Sequence, residues 1–380
     1  MKQGWEIAEF EKCLEKVTYT NKIQRKDFKE DGIYPIVSQE KDFINGYWDN
    51  EEDLFKVDKP VVIFGDHTQV IKFIDFDFVL GADGVKILKP KDKIDSKYFY
   101  YFLQNIDLGS LGYARHYRLL KEINVAYPKS IPEQQRIVSI LDEAFAAIAK
   151  AKANTEQNLK NAKELFESYL QGVFENGKWE TKKLNEITEV KDGTHDSPKY
   201  IKEGIPFVTQ KNIKSDGLSF DDTKFITKAD HEKFYKRSNV TYGDILISMI
   251  GANRGMAAIV DDKRIFSIKN VGLIKSSDNI NMNYLLYYLK SSLAMKYVLY
   301  MSNGGAQEFV GLTALRSFPI PLPPLKVQQT IVRQLDALRA ETQKLEAVYQ
   351  KKMDDLEELK KSILQKAFAG ELKTEKAVAV

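Results

Sequence analysis

The block "EQQRIVSILD" at residues 133–142 is repeated as "VQQTIVRQLD" at residues 327–336, 194 positions later. In both copies the apolar residues follow one another at steps of three and four, as they do on one face of an α-helix. Pro132 and Pro324 stand at the beginnings of the two stretches, where a missing backbone N–H costs a helix little. The two blocks therefore predict two long helices of common origin.

The rest of the chain is also written twice, in the same order. The offset between the two copies varies from 171 to 194 residues. The repeated pairs are "QGWEIAEFEKC" (3–13) and "GKWETKKLNEI" (177–187), "PIVSQ" (35–39) and "PFVTQ" (206–210), "IDSKYFYYFL" (94–103) and "INMNYLLYYL" (280–289), and "LFESYLQGVF" (165–174) and "LKKSILQKAF" (359–368). "GVFENGKW" (172–179) nearly matches a phosphate-binding loop, but Trp179 stands where that loop needs a Ser or Thr. We interpret it as the joint between the two copies.

The duplication predicts an α+β fold with an internal pseudo-two-fold repeat, in which two mixed α/β domains are separated by two long helices. The expected segments are a first domain at 1–131, a helix at 132–175, a second domain at 176–324, a helix at 325–370 and a tail at 371–380. A helix of about 43 residues is roughly 64 Å long, more than one small domain covers. We expect the helices to pair antiparallel as a coiled coil, although each could instead pack on its own domain.

Composition narrows the class of protein. The 380 residues include one cysteine, Cys13, and four separated histidines, which predicts no disulfide framework or metal site and suits a reducing cytoplasm. No apolar run approaches membrane-spanning length. The net charge is +3, with −2 over residues 1–131 and +4 over residues 175–324. Charge alone does not announce a nucleic-acid binder.

The repeat suggests DNA as a partner, because two related units on a two-fold axis match the two-fold symmetry of a duplex backbone. Polar, basic and aromatic residues that suit base edges and phosphates follow apolar runs in both copies. The candidate DNA-contacting residues are Gln39, Lys41, His67, Thr68, Gln69, Arg115, His116, Tyr117 and Arg118 in the first copy, and Thr194, His195, Gln210, Lys211, Asn212, Arg254 and Gln307 in the second. Ordinary polar turns and hairpins are the alternative interpretation of these stretches.

The two glutamine blocks, the "GKWE" joint (177–180) and "DGTHDSPKY" (192–200) resemble the specificity subunit of type I restriction-modification systems, over essentially the whole chain. The resemblance implies two target recognition domains on double-stranded DNA, with a helical spacer that binds two methyltransferase subunits. It also implies restriction/translocase subunits in the full complex, and S-adenosylmethionine, ATP and Mg²⁺ on those partners rather than on this chain. The first copy has no "DGTHDSP" equivalent, so the two domains are expected to approach DNA differently.

No catalytic motif stands out in the chain. It contains no G-x-G spacing, no Asn-Pro pair of an amino-methyltransferase motif and no Pro-Asp pair of a nuclease motif, so we expect a non-catalytic chain. The alternatives are a coiled-coil scaffold that never touches DNA, a recognition module of another DNA-modifying defence system, and a DNA-modifying enzyme with a divergent site. Leu165, Leu170, Phe174, Leu364 and Phe368 lie beside the main helical stripe. They are either intramolecular core or a surface for a partner helix.

Overall fold

The computed structural model describes residues 3–81, 84–109, 112, 114–301 and 310–372. The first globular region is built mainly from short strands. Its strands are β1 (Trp5–Glu9), β2 (Lys22–Ile23), β3 (Tyr34–Val37), β4 (Gly46–Trp48), β5 (Leu54–Phe55), β6 (Val61–Gly65), β7 (Ile71–Ile74), β8 (Phe78–Gly81), β9 (Val85–Leu88) and β10 (Asn124–Pro128). Two helices, α1 (Ser96–Gln104) and α2 (Tyr117–Lys121), lie between β9 and β10.

The strands of the first region form three small sheets. One has the order β2-β8-β3-β4, with β5 also paired to β8, and a second has the order β7-β6-β9. The strand β6, "VVIFG", is buried along its whole length, as expected for a run of β-branched and aromatic residues in the middle of a sheet. The third sheet pairs β1 with β10 antiparallel, so the start of the region is tied to its end.

The first long helix, α3 (Ile131–Asn176), leads into the second globular region. The strands of that region are β11 (Thr181–Lys183), β12 (Val190–Asp192), β13 (Ile205–Val208), β14 (Lys224–Ile226), β15 (Ile245–Ser248), β16 (Ala257–Ile259), β17 (Ser267–Ile268), β18 (Val271–Ile274) and β19 (Pro319–Pro321). Its helices are α4 (Leu184–Ile187), α5 (Lys228–Ser238), α6 (Met282–Lys290), α7 (Ser292–Met301) and α8 (Leu312–Arg316), and the second long helix, α9 (Leu325–Phe368), follows.

The second region repeats the plan of the first. Its sheets have the orders β12-β18-β15-β16 and β14-β13-β17, and β11 pairs with β19 as β1 pairs with β10. This confirms the predicted α+β class, with two mixed domains and two long helices. The long helices begin at Ile131 and Leu325, close to the two prolines.

The described residues divide into two compact units, and the division runs through both long helices. Unit 1 lies within residues 1–156 and 351–380, and unit 2 lies within residues 157–350. Each unit therefore contains one globular region, one half of α3 and one half of α9. The five-segment division expected from the sequence cuts the chain at the helix ends, whereas the contacts cut it in the helix middles.

Within each unit the two helix halves run antiparallel. In unit 1 Lys152 Nζ lies 2.6 Å from Glu357 Oε1, and Lys360 lies over the ring of Phe145 at 5.2 Å. In unit 2 Arg339 lies over the ring of Phe166 at 5.5 Å, and the Tyr169 hydroxyl donates to Gln334 Oε1 at 3.4 Å. Residue numbers fall along α9 as they rise along α3, as antiparallel pairing requires.

The C-terminal end of each long helix completes the core of a globular region. In unit 1 the ring of Phe368 lies 5.3 Å from Tyr98 and 5.6 Å from Phe102, near edge-on. In unit 2 the equivalent Phe174 lies 5.5 Å from Tyr284 and 5.1 Å from Tyr288. Such aromatic pairs add to the free energy of burial. The end of the last helix thus belongs to the core of the first region.

The apolar residues beside the main helical stripe were expected to be either intramolecular core or a surface for a partner helix, and these contacts settle the question for most of them. Leu170, Phe174 and Leu364 are buried in the cores of their units, and Phe368 is partly buried against unit 1. Leu165 differs, because it is 52 % exposed. Four of the five residues are therefore intramolecular core.

Gln134, the first glutamine of the opening block, is fully buried and joins three backbone segments. Its Oε1 accepts a hydrogen bond from the backbone N–H of Asp95 at 2.7 Å. Its Nε2 donates to the carbonyls of Lys93 at 2.9 Å and Pro128 at 2.7 Å. One side chain therefore fixes the start of α3 against the N-terminus of α1 and the end of β10.

Gln328 occupies the same place in unit 2. Its Oε1 accepts from the backbone N–H of Asn281 at 2.8 Å, and its Nε2 donates to the carbonyl of Pro323 at 2.7 Å. Asp95 and Asn281 also cap α1 and α6 through their side chains. The neighbouring glutamines, Gln135 and Gln329, are exposed. The repeated "QQ" thus pairs one structural glutamine with one surface glutamine.

Candidate nucleic-acid interface

Three of the predicted segments meet at one place in unit 1. The side-chain oxygen of Gln39 accepts a hydrogen bond from the backbone N–H of His67 at 3.1 Å, and the Thr68 hydroxyl donates to the Gln39 carbonyl at 2.6 Å. The backbone N–H of His116 donates to the carbonyl of Asp66 at 2.8 Å. We call residues 39–41, 66–69 and 115–118 together the unit 1 surface.

Strand ends and glycines position this surface. Gln39 comes shortly after β3, and Asp66 directly follows β6. Gly84 has a φ of +88°, and a Cβ built there would lie 2.7 Å from Gln39 Oε1, so a larger residue would displace the glutamine. Gln69 also has a positive φ, +57°, and its Nε2 donates to the carbonyl of Gly109 at 2.8 Å.

The candidate residues of the unit 1 surface differ in exposure. Lys41, Thr68, Arg115 and Arg118 are exposed, whereas Gln39, His67, Gln69 and Tyr117 are partly buried. His116 is only 1 % exposed, and its Nδ1 lies 3.1 Å from the carbonyl oxygen of Asp66. In this conformation the His116 ring lies inside the unit and holds the 66–69 turn, and its exposed neighbours Arg115 and Arg118 face solvent.

Two lysines that the sequence did not single out complete the surface around Tyr117. Lys86 lies 5.2 Å and Lys121 lies 5.5 Å from the centre of the Tyr117 ring. Burial raises the pKa of the Tyr117 phenol, so the ring is neutral between two cations. Tyr117 and Lys121 stand four residues apart on α2, whereas Lys86 comes from β9, so only the contact with Lys121 was within reach of a local sequence pattern.

Lys72 supports the same surface from inside and was also missed by the sequence reasoning. Its side chain is 4 % exposed, and its Nζ donates to the carbonyl of Asp42 and, at 3.1 Å, to Asn45 Oδ1. Asn45 Oδ1 in turn accepts from the backbone N–H of Ser38 at 2.8 Å. Burial lowers the pKa of Lys72 to about 8. A buried amine thus holds the loop of residues 38–45.

In unit 2 the predicted segments 194–195 and 210–212 meet segments around 248–254 and 269–270. Asn270 N–H donates to the Thr194 carbonyl at 3.2 Å, and Lys269 N–H donates to the Val208 carbonyl at 2.9 Å. The Ser248 hydroxyl donates to Gln210 Oε1 at 3.3 Å. We call these four segments the unit 2 surface. Gln210 follows β13 as Gln39 follows β3, so the two surfaces lie at equivalent strand ends.

Exposure also separates the candidate residues of unit 2. His195 and Lys211 are exposed, and Gln210 and Arg254 are partly buried. Thr194 and Asn212 are buried, at 6 % and 5 % exposed. Asn212 shapes the 209–212 turn, because its Oδ1 accepts from the backbone N–H of Thr209 at 2.9 Å and its Nδ2 donates to the Ser219 carbonyl at 3.1 Å. Gln307 lies outside the described residues.

The "DGTHDSP" segment of the second copy is fixed by an ion pair that the sequence did not reveal. Arg237 on α5 donates two hydrogen bonds to the buried carboxylate of Asp192, at 2.9 and 2.8 Å. His195 lies between this carboxylate and Asn270, with its Nε2 3.1 Å from Asp192 Oδ2 and its Nδ1 2.7 Å from Asn270 Oδ1. The exposed histidine is therefore held in one orientation.

Among the described residues there is no group of three or more His, Cys, Asp or Glu side chains placed to bind a metal ion. Cys13 is buried, and burial raises the pKa of its thiol, so it is a poor nucleophile. In the same part of the chain no helix has the length and apolar character to cross a membrane. Both surfaces offer hydrogen bonds and positive charge.

Most of the chain matches a known protein family. The family model "Type I restriction modification DNA specificity domain" matches twice, at residues 3–161 and 176–353. The chain is 26 % identical over 344 residues to the "Type I restriction enzyme EcoR124I/EcoR124II specificity subunit" of Escherichia coli, covering 83 % of this chain and 81 % of that one. It is 25 % identical over 364 residues to the EcoBI specificity subunit of Escherichia coli, covering 86 % and 75 %.

Two solved structures share the fold. One, from work on "complex assembly" and "conformational transition of the type I R-M system", has a TM-score of 0.73 at 17 % identity and covers 98 % of this chain and 99 % of its own. The other, the HsdS subunit from Thermoanaerobacter tengcongensis, has a TM-score of 0.59 at 16 % identity and covers 98 % of both chains. At these identities the likeness concerns the fold alone.

Proposed function

The chain belongs to the family of type I restriction-modification DNA specificity domains, and from this membership we propose that it is the DNA-recognition subunit of such a system. Each globular region reads one half of an asymmetric, bipartite target in double-stranded DNA. The observation that carries this proposal is the repeated convergence of loops at equivalent strand ends, around Gln39 in unit 1 and Gln210 in unit 2. Two different half-sites require loops that are placed equivalently in the two units but carry different side chains.

The exposure of the candidate residues divides their proposed roles. Lys41, Arg115 and Arg118 in unit 1 contact phosphates, because long exposed cations reach the backbone of a duplex. In unit 2 Lys211 and Gln210, on the turn held by Asn212, read base edges, to which amide and ammonium groups donate hydrogen bonds. Buried His116, Thr194 and Asn212 orient the contacting residues and do not touch DNA themselves.

Methyl transfer, ATP use and strand cleavage are assigned to partner subunits. We propose that this chain is non-catalytic, that two methyltransferase subunits dock on its helices, and that S-adenosylmethionine, ATP and Mg²⁺ bind to the partners. The charge supports a need for partners, because residues 1–131 carry a net −2 and electrostatic affinity for DNA grows with the phosphates neutralised. The chain alone is then expected to bind its target weakly at physiological salt.

Selection from a randomised duplex pool tests the proposal. The chain in complex with its methyltransferase partner should enrich one bipartite sequence, and Lys211→Ala should relax the preference in one half-site only. Lys150, exposed on α3, provides the matched control, because Lys150→Ala removes the same charge far from both surfaces in sequence. Titration of the selected duplex with the chain alone should give specific affinity lower by about tenfold or more.

The outcomes separate the alternatives. No enrichment by the complex would favour a scaffold that does not read DNA, and methylation of the duplex by the chain alone would reveal a catalytic site. Equal effects of Lys211→Ala and Lys150→Ala would remove Lys211 from the recognition surface. Equal specific affinity of chain and complex would refute the need for a partner.

A further inference from the structure

The two long helices can be compared position by position, because the repeat offset is 194 at both ends of the helices. Phe145 on α3 is thus equivalent to Arg339 on α9, and Phe166 is equivalent to Lys360. Lys152 is equivalent to Glu346, and Lys163 to Glu357. At each of these four positions the two helices carry residues of different or opposite character.

At the charged positions α3 carries lysine where α9 carries glutamate. Lys152 on α3 and Glu357 on α9 form an ion pair of 2.6 Å, which raises the pKa of the lysine and lowers that of the glutamate. The equivalent positions of unit 2 carry Lys163 on α3 and Glu346 on α9. Positions 152 and 346 are both partly buried, and positions 163 and 357 are both exposed, as equivalent positions should be. Both lysines therefore lie on α3 and both glutamates on α9.

The aromatic positions show the same complementarity. Lys360 of α9 lies 5.2 Å from the centre of the Phe145 ring, and Arg339 of α9 lies 5.5 Å from the centre of the Phe166 ring. In both units the ring comes from α3 and the cation from α9. A cation over an aromatic face is attractive, whereas two cations at the same place repel.

We propose that these positions make the helix pairing heterotypic, so that the α3 surface fits α9 and rejects a second copy of either helix. The accepted partner of each helix is the other long helix of the same chain, and the rejected partner is the same helix of a second copy. If α9 paired with a second α9, Glu346 would face Glu357 and Arg339 would face Lys360. If α3 paired with a second α3, Lys152 would face Lys163. Two-fold symmetry would produce each repulsive contact twice.

The cost of pairing two helices of like charge can be measured in the full-length chain, because substitutions can give one long helix the charges of the other. The double variant Lys152→Glu/Lys163→Glu gives α3 the acidic residues of α9, and Glu346→Lys/Glu357→Lys gives α9 the basic residues of α3. The fourfold variant carries all four changes and restores opposite charges in the inverted sense. A matched control, Lys150→Glu/Lys351→Glu, changes the net charge as the first double variant does, at two exposed positions outside the four compared above.

Thermal unfolding of these full-length variants should follow one order. Both double variants should melt about 2–5 °C below the control, and the fourfold variant should recover most of that loss. The difference should shrink between low salt and 1 M NaCl, because screening weakens exposed charges. Unfolded double variants beside a folded fourfold variant would support the same conclusion.

Three results would overturn the proposal. The first is a double variant as stable as the control. The second is a fourfold variant no more stable than the doubles, whether all three are folded or not, since lost packing and not charge would then explain the effect. The third is a loss of stability that does not depend on salt.

Discussion

Replacing Gln134 by alanine should loosen the connection between α3 and the first globular region. The side chain is fully buried and makes three hydrogen bonds, with Asp95 N–H at 2.7 Å, the Lys93 carbonyl at 2.9 Å and the Pro128 carbonyl at 2.7 Å. Each partner is a backbone group that loses its bond in Gln134→Ala. The affected backbone lies at the start of α1 and the end of β10.

The expected cost follows from that number of partners. A buried polar group left without a hydrogen bond costs about 1–3 kcal/mol. Because one of the three bonds is buried and two are partly buried, we expect the lower part of the summed range, a loss of about 3–6 kcal/mol of unfolding free energy. Gln328 makes two such bonds, with Asn281 N–H and the Pro323 carbonyl. Gln328→Ala should therefore cost less, about 2–4 kcal/mol. For units of this size the larger loss lowers Tm by roughly 10 °C.

Urea unfolding combined with amide hydrogen exchange measures both the size and the place of the effect. Gln135→Ala and Gln329→Ala are matched controls, because each removes the exposed neighbour of the buried glutamine in the same helical turn. Exchange in Gln134→Ala should accelerate at the N-terminal turn of α1 and along β10, while the second globular region keeps its protection. Gln328→Ala should show the reverse.

A small effect would refute this reasoning. If Gln134→Ala unfolded within about 0.5 kcal/mol of Gln135→Ala, the buried bonds would contribute no more than a surface side chain. If the loss were large but exchange rose evenly over both regions, Gln134 would not act as a local connection. Gln134→Leu, which keeps the volume of the side chain, distinguishes lost hydrogen bonds from a cavity.

Three further predictions concern recognition and its support. Exchange of residues 176–324 for the equivalent part of a relative should change one half-site and leave the other; selection from a duplex pool checks this, and changes in both halves would refute independent reading. Insertion of seven residues at equivalent positions of α3 and α9 lengthens each helix by about 10 Å, so the selected half-sites should move apart by about three base pairs while their sequences stay the same. An unchanged separation would refute the idea that the helices set the distance between the half-sites. Burial lowers the pKa of Lys72 to about 8, below its value in the unfolded chain, although the charges of Glu40 and Asp42 act to raise it. Between pH 8 and 10 the unfolded state therefore binds more protons than the folded state, so the free energy of unfolding should rise with pH in that window. Urea midpoints should show a smaller slope for Lys72→Met, and equal slopes would mean that Lys72 is not buried as an amine.

The repeated blocks were enough to predict the architecture. In "EQQRIVSILD" and "VQQTIVRQLD" the apolar residues recur at steps of three and four, which predicts a helix. The similar segments recur in the same order in both halves of the chain, which indicates a duplication. The helix beginnings observed at Ile131 and Leu325 lie beside the two prolines. These features are local, because they depend on backbone geometry and on the spacing of apolar residues over a few helical turns. They can therefore be predicted from the sequence alone.

The candidate surfaces were located less completely. The segments around Gln39, Asp66 and His116 do come together, because polar residues that directly follow buried strands lie at sheet ends. The sequence could not show that His116 points inward, or that Lys86 lies against Tyr117. Those facts depend on how separate loops pack, and a histidine or lysine has the same local signature on either side of a loop.

By itself the sequence determined that this protein is a duplicated pair of α/β domains joined by long helices, since that information is periodic and local. Only the tertiary structure decided that Phe368 completes the core around Tyr98 and Phe102, some 270 residues earlier in the chain. It also decided that one glutamine of each "QQ" pair is buried and the other exposed. The reason is physical: an amphipathic stripe shows which helix face is buried, but the domain that buries it is chosen by packing and hydrogen bonding between distant segments.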